Sequence, residues 1–197
     1  MRDIVVPTFV LFLICTIVTM ALALTNYATR EAILEQVKLQ EESARKEVFS
    51  EAESFEEVQG IEAVIDSNED MKCVKKVYTS IKNGETVGRV YSVETTGYGG
   101  AVSVAVGIDK GGKTTGVKIV SHSETPGLGS KAADEPFISQ FTGITPKEPL
   151  IVVKSGGSKD EEIDAVSGAT ITSKAVVKAV QAALMVDSEL NKREGDS

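Results

Sequence analysis

The chain has 197 residues, of which 42% are apolar and 25% charged, and this is the composition of a folded globular protein. It carries 21 basic and 29 acidic side chains, and the resulting net charge of −8 excludes a general attraction for nucleic acid. One histidine and two cysteines are too few for a zinc site, a haem motif or an iron–sulfur cluster. We therefore expect no metal site held by this chain alone.

The first apolar segment, residues 4–24, contains no charged side chain. As a helix it would be about 31 Å long, enough to cross a hydrocarbon core of about 30 Å. A cleaved signal peptide is the alternative interpretation, because Ala21-Leu22-Ala23 matches the pattern of small residues at cleavage sites. The apolar segment is longer than the usual core of a signal peptide, which favours an uncleaved transmembrane helix. Basic residues on either side are too few to decide its orientation.

The remaining chain changes its periodicity twice. Residues 25–48 are polar and free of glycine, which predicts a helical stalk. After Ser67 the apolar residues alternate with polar ones, as in strands. The predicted strands are residues 74–81, 86–95, 101–108 and 115–122, followed by an apolar strand within 149–153.

Turn and helix signals complete the fold prediction. Asn83-Gly84 and residues 109–112 offer the positive-φ residues of tight hairpins, and Phe137 with Phe141 follows an acidic and proline-containing helix start. A final helix is expected to begin at Thr172 or Ser173 as its cap, with an apolar face against the sheet. The fold class is α+β: a mostly antiparallel sheet with flanking helices, spanning residues 49–187 and followed by a polar tail, 188–197.

One segment matches a nucleotide-binding motif by letters alone. Residues 107–114 have the spacing of a phosphate-binding loop, but such a loop must join a strand to a helix. Residues 115–120 have the character of a strand. We therefore predict a hairpin turn here and no nucleotide site.

Two glycine-rich segments each allow two interpretations. Gly97-Tyr98-Gly99-Gly100 and the loop 123–129 are either ordinary turns or rigid loops whose backbone approaches a ligand closely. His122, the single histidine, has no catalytic arrangement around it and is interpreted as structural.

The segment 164–173 places four hydroxyl side chains around Gly168 and Ala169 at the start of the last helix. Such hydroxyls either cap the free amides of a helix or help to bind a phosphate group there.

Ser167-Gly168-Ala169-Thr170, preceded by Asp164, resembles the acceptor motif of flavin-binding domains that carry FMN as a phosphodiester on the last threonine. Residues 44–49, 97–100 and 122–129 match the same family in the same order. The resemblance covers essentially the whole chain. It is closest to the G subunit of Rnf electron-transport complexes, with the C subunit of the sodium-pumping NADH:quinone reductase as the related alternative. Phe137 stands where the family often has tryptophan, which is expected to alter packing beside the flavin and not its attachment.

This resemblance implies that a flavin transferase, using FAD and Mg²⁺, esterifies FMN to Thr170. The phosphate would lie among neighbouring residues of the motif and of the helix start: Ser167, Gly168, Ala169, Thr172 and Ser173. The flavin ring would lie between the loop and the turn described above, near Glu124, Thr125, Gly127, Leu128, Gly129, Tyr98 and Gly99.

The resemblance also implies a single-pass subunit of the cell (inner) membrane, with residues 1–3 on the cytoplasmic side and the domain on the extracytoplasmic side. The chain would be an electron carrier within a translocase, a ferredoxin:NAD oxidoreductase coupled to sodium or proton movement. Partner subunits would supply the NAD site, other flavins, iron–sulfur clusters and the ion path. Two other classes stay open: a tethered sensor domain that binds flavin or another ligand reversibly, and a structural subunit without a cofactor.

Overall fold

The structure, a computed structural model, describes residues 2–157, 159 and 161–195. Met1, Asp196 and Ser197, at the tips of the predicted cytoplasmic end and polar tail, lie outside the described residues, as do Ser158 and Asp160. The chain divides into two compact units, Met1–Gln40 and Glu41–Ser197. The helices are α1 Arg2–Val48, α2 Glu62–Ile65, α3 Glu135–Ile138 and α4 Thr170–Gly195. The strands are β1 Ser54–Glu57, β2 Val74–Lys82, β3 Glu85–Thr96, β4 Ala101–Asp109, β5 Thr114–His122, β6 Ile151–Val153 and β7 Glu162–Asp164.

The first unit is helical and consists of residues from α1. It is long and apolar enough to cross a membrane, and its most apolar segment buries none of its surface within the protein. Thr8 and Thr16 donate hydrogen bonds to carbonyls one turn back, at 2.8 and 2.9 Å. Their hydroxyls are thereby paired inside the helix itself, as burial in lipid requires.

The second unit is built on five antiparallel strands in the order β1-β2-β3-β4-β5. The four long strands confirm the sequence prediction to within one residue at each end. The predicted α+β class with its antiparallel sheet is confirmed. β1, which has only four residues and two adjacent glutamates, was not predicted. A separate parallel pair joins β6, which was predicted, to β7, which was not.

The hairpin turns form where the sequence places them. Asn83 and Gly84 have φ angles of 52° and 78°, and Gly112 has 76°. In the second turn, the carboxylate of Asp109 accepts hydrogen bonds from the N–H groups of Gly111 and Lys113. The amides that a phosphate-binding loop would offer are therefore bound within the turn, and β5 follows directly. The predicted hairpin is confirmed.

Helix α4 covers one face of the sheet with Val176, Val180 and Val186, which are fully buried. It begins at Thr170, so the predicted cap at Thr172 or Ser173 is wrong: both lie inside the first turn. The helix also continues through Gly195, so the described part of the expected polar tail is helical. Its last turns are held by Arg89 on β3, whose guanidinium donates to Asn191 and Glu194.

The opposite face of the sheet is covered by the last turns of α1. Ala44, Val48 and Phe49 are buried there in one cluster with Tyr78 and Val90. The predicted stalk, 25–48, is therefore helical, but its final turns belong to the folded unit. A β-carbon on the facing Gly88 would stand 2.7 Å from the Phe49 ring. Because glycine has no β-carbon, β3 leaves room for this ring.

The connection from β5 to β6 contains short helical turns. A 3-10 turn at Gly129–Ala133 precedes α3, and a second one at Ser139–Phe141 follows it. The rings of Phe137 and Phe141 meet edge to face with centroids 5.4 Å apart, and both are buried. The short helix predicted from these two residues is thus present, and Phe137 packs in the core.

Candidate functional site

The Ser-Gly-Ala-Thr segment forms the turn that leads from β7 into α4. Gly168 has a φ of 78°, a left-handed conformation in which a side chain is strained. Ala169 is buried beneath the turn, whereas Ser167 and Thr170 are exposed. Thr170 is the first residue of a 26-residue helix. Its hydroxyl is therefore accessible at the helix end that favours negative charge.

Ser173 holds this turn closed from inside. Its hydroxyl accepts a hydrogen bond from the N–H of Val166 and donates one to the carbonyl of Ala169, both at 3.0 Å. Ser173 and Thr172 are 0% and 1% exposed. The structure thus places these two expected phosphate contacts on the core side of α4, away from the exposed surface that carries Thr170.

Gln140 fixes the strand before the turn. Its side-chain amide accepts from the N–H of Asp164 at 2.7 Å and donates to the carbonyl of Asp164 at 3.2 Å. This pair of bonds replaces a neighbouring strand. The carboxylate of Asp164 in turn accepts from the N–H of Gly157 at 3.0 Å. Gln140 was not singled out from the sequence, because a glutamine 24 residues away gives no local signal.

The loop after β5 reaches the turn through Leu128. A β-carbon on Gly168 would stand 3.2 Å from Cδ1 of Leu128, so the Leu128 side chain lies directly beside the space that glycine leaves open. The loop is compact, with the N–H of Gly127 bonded to Ser130 at 2.9 Å and that of Leu128 to Thr125 at 3.2 Å. The structure therefore brings the predicted loop and the predicted acceptor motif together.

The glycine-rich turn after β3 meets the same loop through Glu124. The Glu124 carboxylate is buried and accepts a hydrogen bond from the N–H of Tyr98 at 2.8 Å. A β-carbon on Gly97 would overlap this carboxylate, and one on Gly99 would overlap the carbonyl of Ser123. Groups of the protein itself thus lie close to these glycines, and the approach of a ligand stays a prediction.

The exposed apolar surface of the folded unit is concentrated here. Tyr98, Leu128 and Ile171 are 75%, 48% and 53% exposed. Among the other described residues of this unit, Ile151 is the only large apolar side chain counted as exposed. Thr125, Gly127 and His122 are exposed at the same loop, and His122 Nδ1 accepts from the N–H of Glu124 at 3.3 Å.

These residues fit a flavin nucleotide by their chemistry. An exposed hydroxyl at a helix start suits a phosphate group, and an adjacent exposed apolar surface suits a flat aromatic ring. In the described part of the chain, no group of three His, Cys, Asp or Glu side chains forms a metal site.

A family model described as the FMN-binding domain matches residues 97–185, from the glycine-rich turn to the middle of α4. The matched range contains every segment of the site described above. It includes Thr170 as well as the loop and the turn that meet beside it.

Curated relatives extend the likeness to nearly the whole chain. The G subunit of the Na(+)-translocating ferredoxin:NAD(+) oxidoreductase complex of Acetobacterium woodii is 41% identical over 192 residues, which are 93% of this chain and 91% of the relative. The G subunit of the proton-translocating ferredoxin:NAD(+) oxidoreductase complex of Clostridium ljungdahlii is 35% identical, over 86% of this chain and 84% of its own.

Two solved structures share the fold. Shewanella oneidensis NqrC has a TM-score of 0.53 at 19% identity, over 76% of this chain and 74% of its own. The C subunit of the Na(+)-translocating NADH-quinone reductase from Parabacteroides distasonis has a TM-score of 0.50 at 24% identity, over 59% and 62%. The likeness to these chains is one of fold.

Proposed function

The chain belongs to the family of G subunits of ion-translocating oxidoreductase complexes, and from this premise we propose that it carries FMN covalently on Thr170 and relays electrons. As a member of this family it is one component of a translocase. The observation that carries the proposal is the exposed Thr170 hydroxyl in Ser-Gly-Ala-Thr at the start of α4, beside the two loops that meet there.

In attachment the Thr170 hydroxyl would accept FMN through its phosphate. A flavin transferase with FAD and Mg²⁺ would form the bond between the threonine oxygen and the FMN phosphorus. The hydroxyl proton would be lost to solvent, the diphosphate bond of FAD would break, and AMP would leave. The helix start favours the resulting phosphodiester charge, and the exposed Ser167 hydroxyl offers it a hydrogen bond. Buried Ser173 and Thr172 are left out of this set, because they lie on the core side of the helix.

The flavin supplies one- and two-electron transfer when it is bound. This chain's own residues would orient its ring, since three exposed apolar side chains belong to the segments that meet here: Leu128 beside Gly168, Ile171 following Thr170, and Tyr98 in the turn bonded to the same loop. Thr125 and the backbone carbonyl of Gly127 are exposed in the same loop and would meet polar ring atoms. The N–H of Gly127 is already bonded to Ser130, and Gly129 is buried.

Chemistry supports an extracytoplasmic domain held by the N-terminal helix. A flavin made in the cytoplasm would diffuse away from an outer-face site unless it were tethered. Residues 4–24 contain no ionisable group other than Cys15, so the helix offers no ion path, and partner subunits would provide it together with the NAD and iron–sulfur sites. A flavin transferase and membrane lipid are the further partners of this proposal.

Two isosteric changes in the first turn of α4 test the attachment. Thr170→Val removes the accepting hydroxyl while keeping the side-chain shape, and Thr172→Val removes a neighbouring hydroxyl that is 1% exposed. Each full-length variant is produced with the transferase and examined by fluorescence in a denaturing gel and by intact mass. A third variant, Thr170→Ser, keeps a hydroxyl at this position. We expect wild type, Thr172→Val and Thr170→Ser to carry one FMN and Thr170→Val to carry none.

The other outcomes separate the rival classes. Flavin that colours the native protein but washes out of the denaturing gel would indicate a reversible binding or sensor domain. A wild-type protein without flavin in either state would indicate a structural subunit. A fluorescent Thr170→Val band would refute Thr170 as the attachment residue.

A further inference from the structure

Glu124 is a buried acid in an unusual setting. It is 6% exposed, and the single hydrogen bond that its carboxylate makes to a described residue, from the N–H of Tyr98, goes to Oε1 at 2.8 Å. No lysine, arginine or histidine of the described residues forms an ion pair with it. Burial of a carboxylate costs free energy, so its place between two loops calls for a role.

Glycines surround this carboxylate on both sides. A β-carbon at Gly97 would overlap Oε1, and one at Gly129 would overlap Oε2 and stand 2.8 Å from the Glu124 Cβ. The φ angle at neither glycine is in the left-handed region. Space for Glu124, and not backbone conformation, therefore accounts for glycine at these two positions.

We propose that Glu124 is a positioning residue whose side-chain length locks the turn 97–100 to the loop 123–129. The lock fixes Leu128 against Gly168 and Tyr98 beside them, and so shapes the surface on which the flavin ring lies. The effect of this lock on the flavin ring rests on the proposed function. Its effect on the order of the two loops does not, because that concerns the protein alone.

Three substitutions at Glu124 separate the effect of side-chain length from the effect of charge. Glu124→Gln keeps the length and an oxygen that can accept from Tyr98, but it removes the charge. Glu124→Asp keeps the charge and shortens the side chain by one methylene, so the carboxylate withdraws from the turn. Glu124→Ala removes both, and Glu94→Ala, an exposed glutamate on β3, is the control.

The first measurement is amide hydrogen exchange at residues 97–100 and 123–129 in the full chain before flavin attachment. We expect a several-fold increase for Glu124→Ala and Glu124→Asp, and wild-type rates for Glu124→Gln and Glu94→Ala. The second measurement is the visible circular dichroism and fluorescence anisotropy of the attached flavin, taken for each variant at the same interval below its own melting temperature. Both signals should fall for Glu124→Ala and Glu124→Asp and should equal those of wild type for Glu124→Gln.

A double substitution tests the contact directly. Gly97→Ala should by itself loosen both loops. It should add less in the Glu124→Ala background than in wild type, since the overlapping carboxylate is then gone and only Cγ2 of Val102, at 2.9 Å, still lies close. If Glu124→Asp behaved like wild type while Glu124→Gln loosened the loops, the charge and not the length of the side chain would matter, and the proposal would be overturned. Fully additive effects in the double variant would also overturn it, because the two residues would then act independently. If wild type takes no flavin, the proposed function fails, while hydrogen exchange still decides the role of Glu124.

Discussion

Leu128 lies against Gly168, with the place of a missing β-carbon 3.2 Å from its Cδ1 atom. The two residues are 40 positions apart in the sequence, one in the loop after β5 and one in the turn before α4. This proximity links the proposed surface for the flavin ring to the residue two positions before the proposed acceptor, Thr170. Every substitution that shifts one of them should therefore shift both parts of the site.

Gly168→Ala is expected to reduce flavin attachment and stability together. The left-handed φ of 78° would cost an alanine about 1–2 kcal/mol, and the new methyl group would press on Leu128. Urea unfolding and flavin content per chain measure the two effects.

Gly112→Ala is the matched control for this change. It has nearly the same φ, 76°, but no atom of the described residues lies within 4 Å of its β-carbon position. We expect a similar loss of stability with full flavin content. Equal flavin loss in both variants would show that backbone strain, and not contact with Leu128, governs the site.

Lys113→Ala should leave flavin content unchanged, and neither wild type nor the variant should bind MgATP. The residue ends the hairpin turn that resembles a phosphate-binding loop, and its side chain is exposed. A solvated surface charge of this kind changes stability by no more than about 0.5 kcal/mol. Isothermal titration with MgATP checks the point, and specific binding lost on substitution would contradict the hairpin interpretation.

Tyr91→Phe should lower stability at neutral pH by about 1–3 kcal/mol, because the buried Asp187 loses a hydrogen-bond donor. The Tyr91 hydroxyl donates to Asp187 at 2.7 Å, and Arg89 donates to the same oxygen at 3.2 Å. Urea unfolding measures the change. Tyr98→Phe is the control, since Tyr98 is 75% exposed and its hydroxyl has no recorded partner among the described residues.

The same hydroxyl predicts a pH dependence. Burial, and then the charge of Asp187, raise the pKa of Tyr91 above its ordinary value, so the neutral phenol is favoured in the folded state. Its contribution is fully present below the pKa of an unfolded tyrosine, about 10, and decreases as the pH rises above it. As the pH rises above the pKa of an unfolded tyrosine, the free energy of unfolding should fall more for wild type than for Tyr91→Phe. Equal decreases in the two proteins would exclude Tyr91 as the cause.

Cys73 provides a test of the side of the membrane on which the domain lies. Burial raises the pKa of its thiol, chiefly by desolvation, which lowers the thiolate fraction at neutral pH. Labelling of folded Cys15→Ala protein by a membrane-impermeant maleimide should be slow and should accelerate as the pH rises. In intact cells we expect this labelling without lysis. Labelling that requires opening of the membrane would place the domain on the cytoplasmic side.

The elements that sequence alone predicted are those with a local physical cause. Residues 4–24 contain no charged side chain, and β2 to β5 were predicted from the alternation of apolar and polar residues that a strand requires. Asn83-Gly84 forms a turn through its own backbone preferences. Thr170 was singled out from four adjacent residues. It is exposed at a helix start, and its role as the attachment residue stays a prediction.

What tertiary structure decided are the pairings between distant residues. No periodicity signals that Gln140 replaces a strand beside Asp164, that Arg89 holds the end of α4, or that Ser173 closes its turn from within. Glu124 was expected at the flavin, whereas its carboxylate reaches across to Tyr98. Local sequence determines which backbone conformation is favourable, but a side chain's partner depends on which segments the packed core brings within about 3 Å of it.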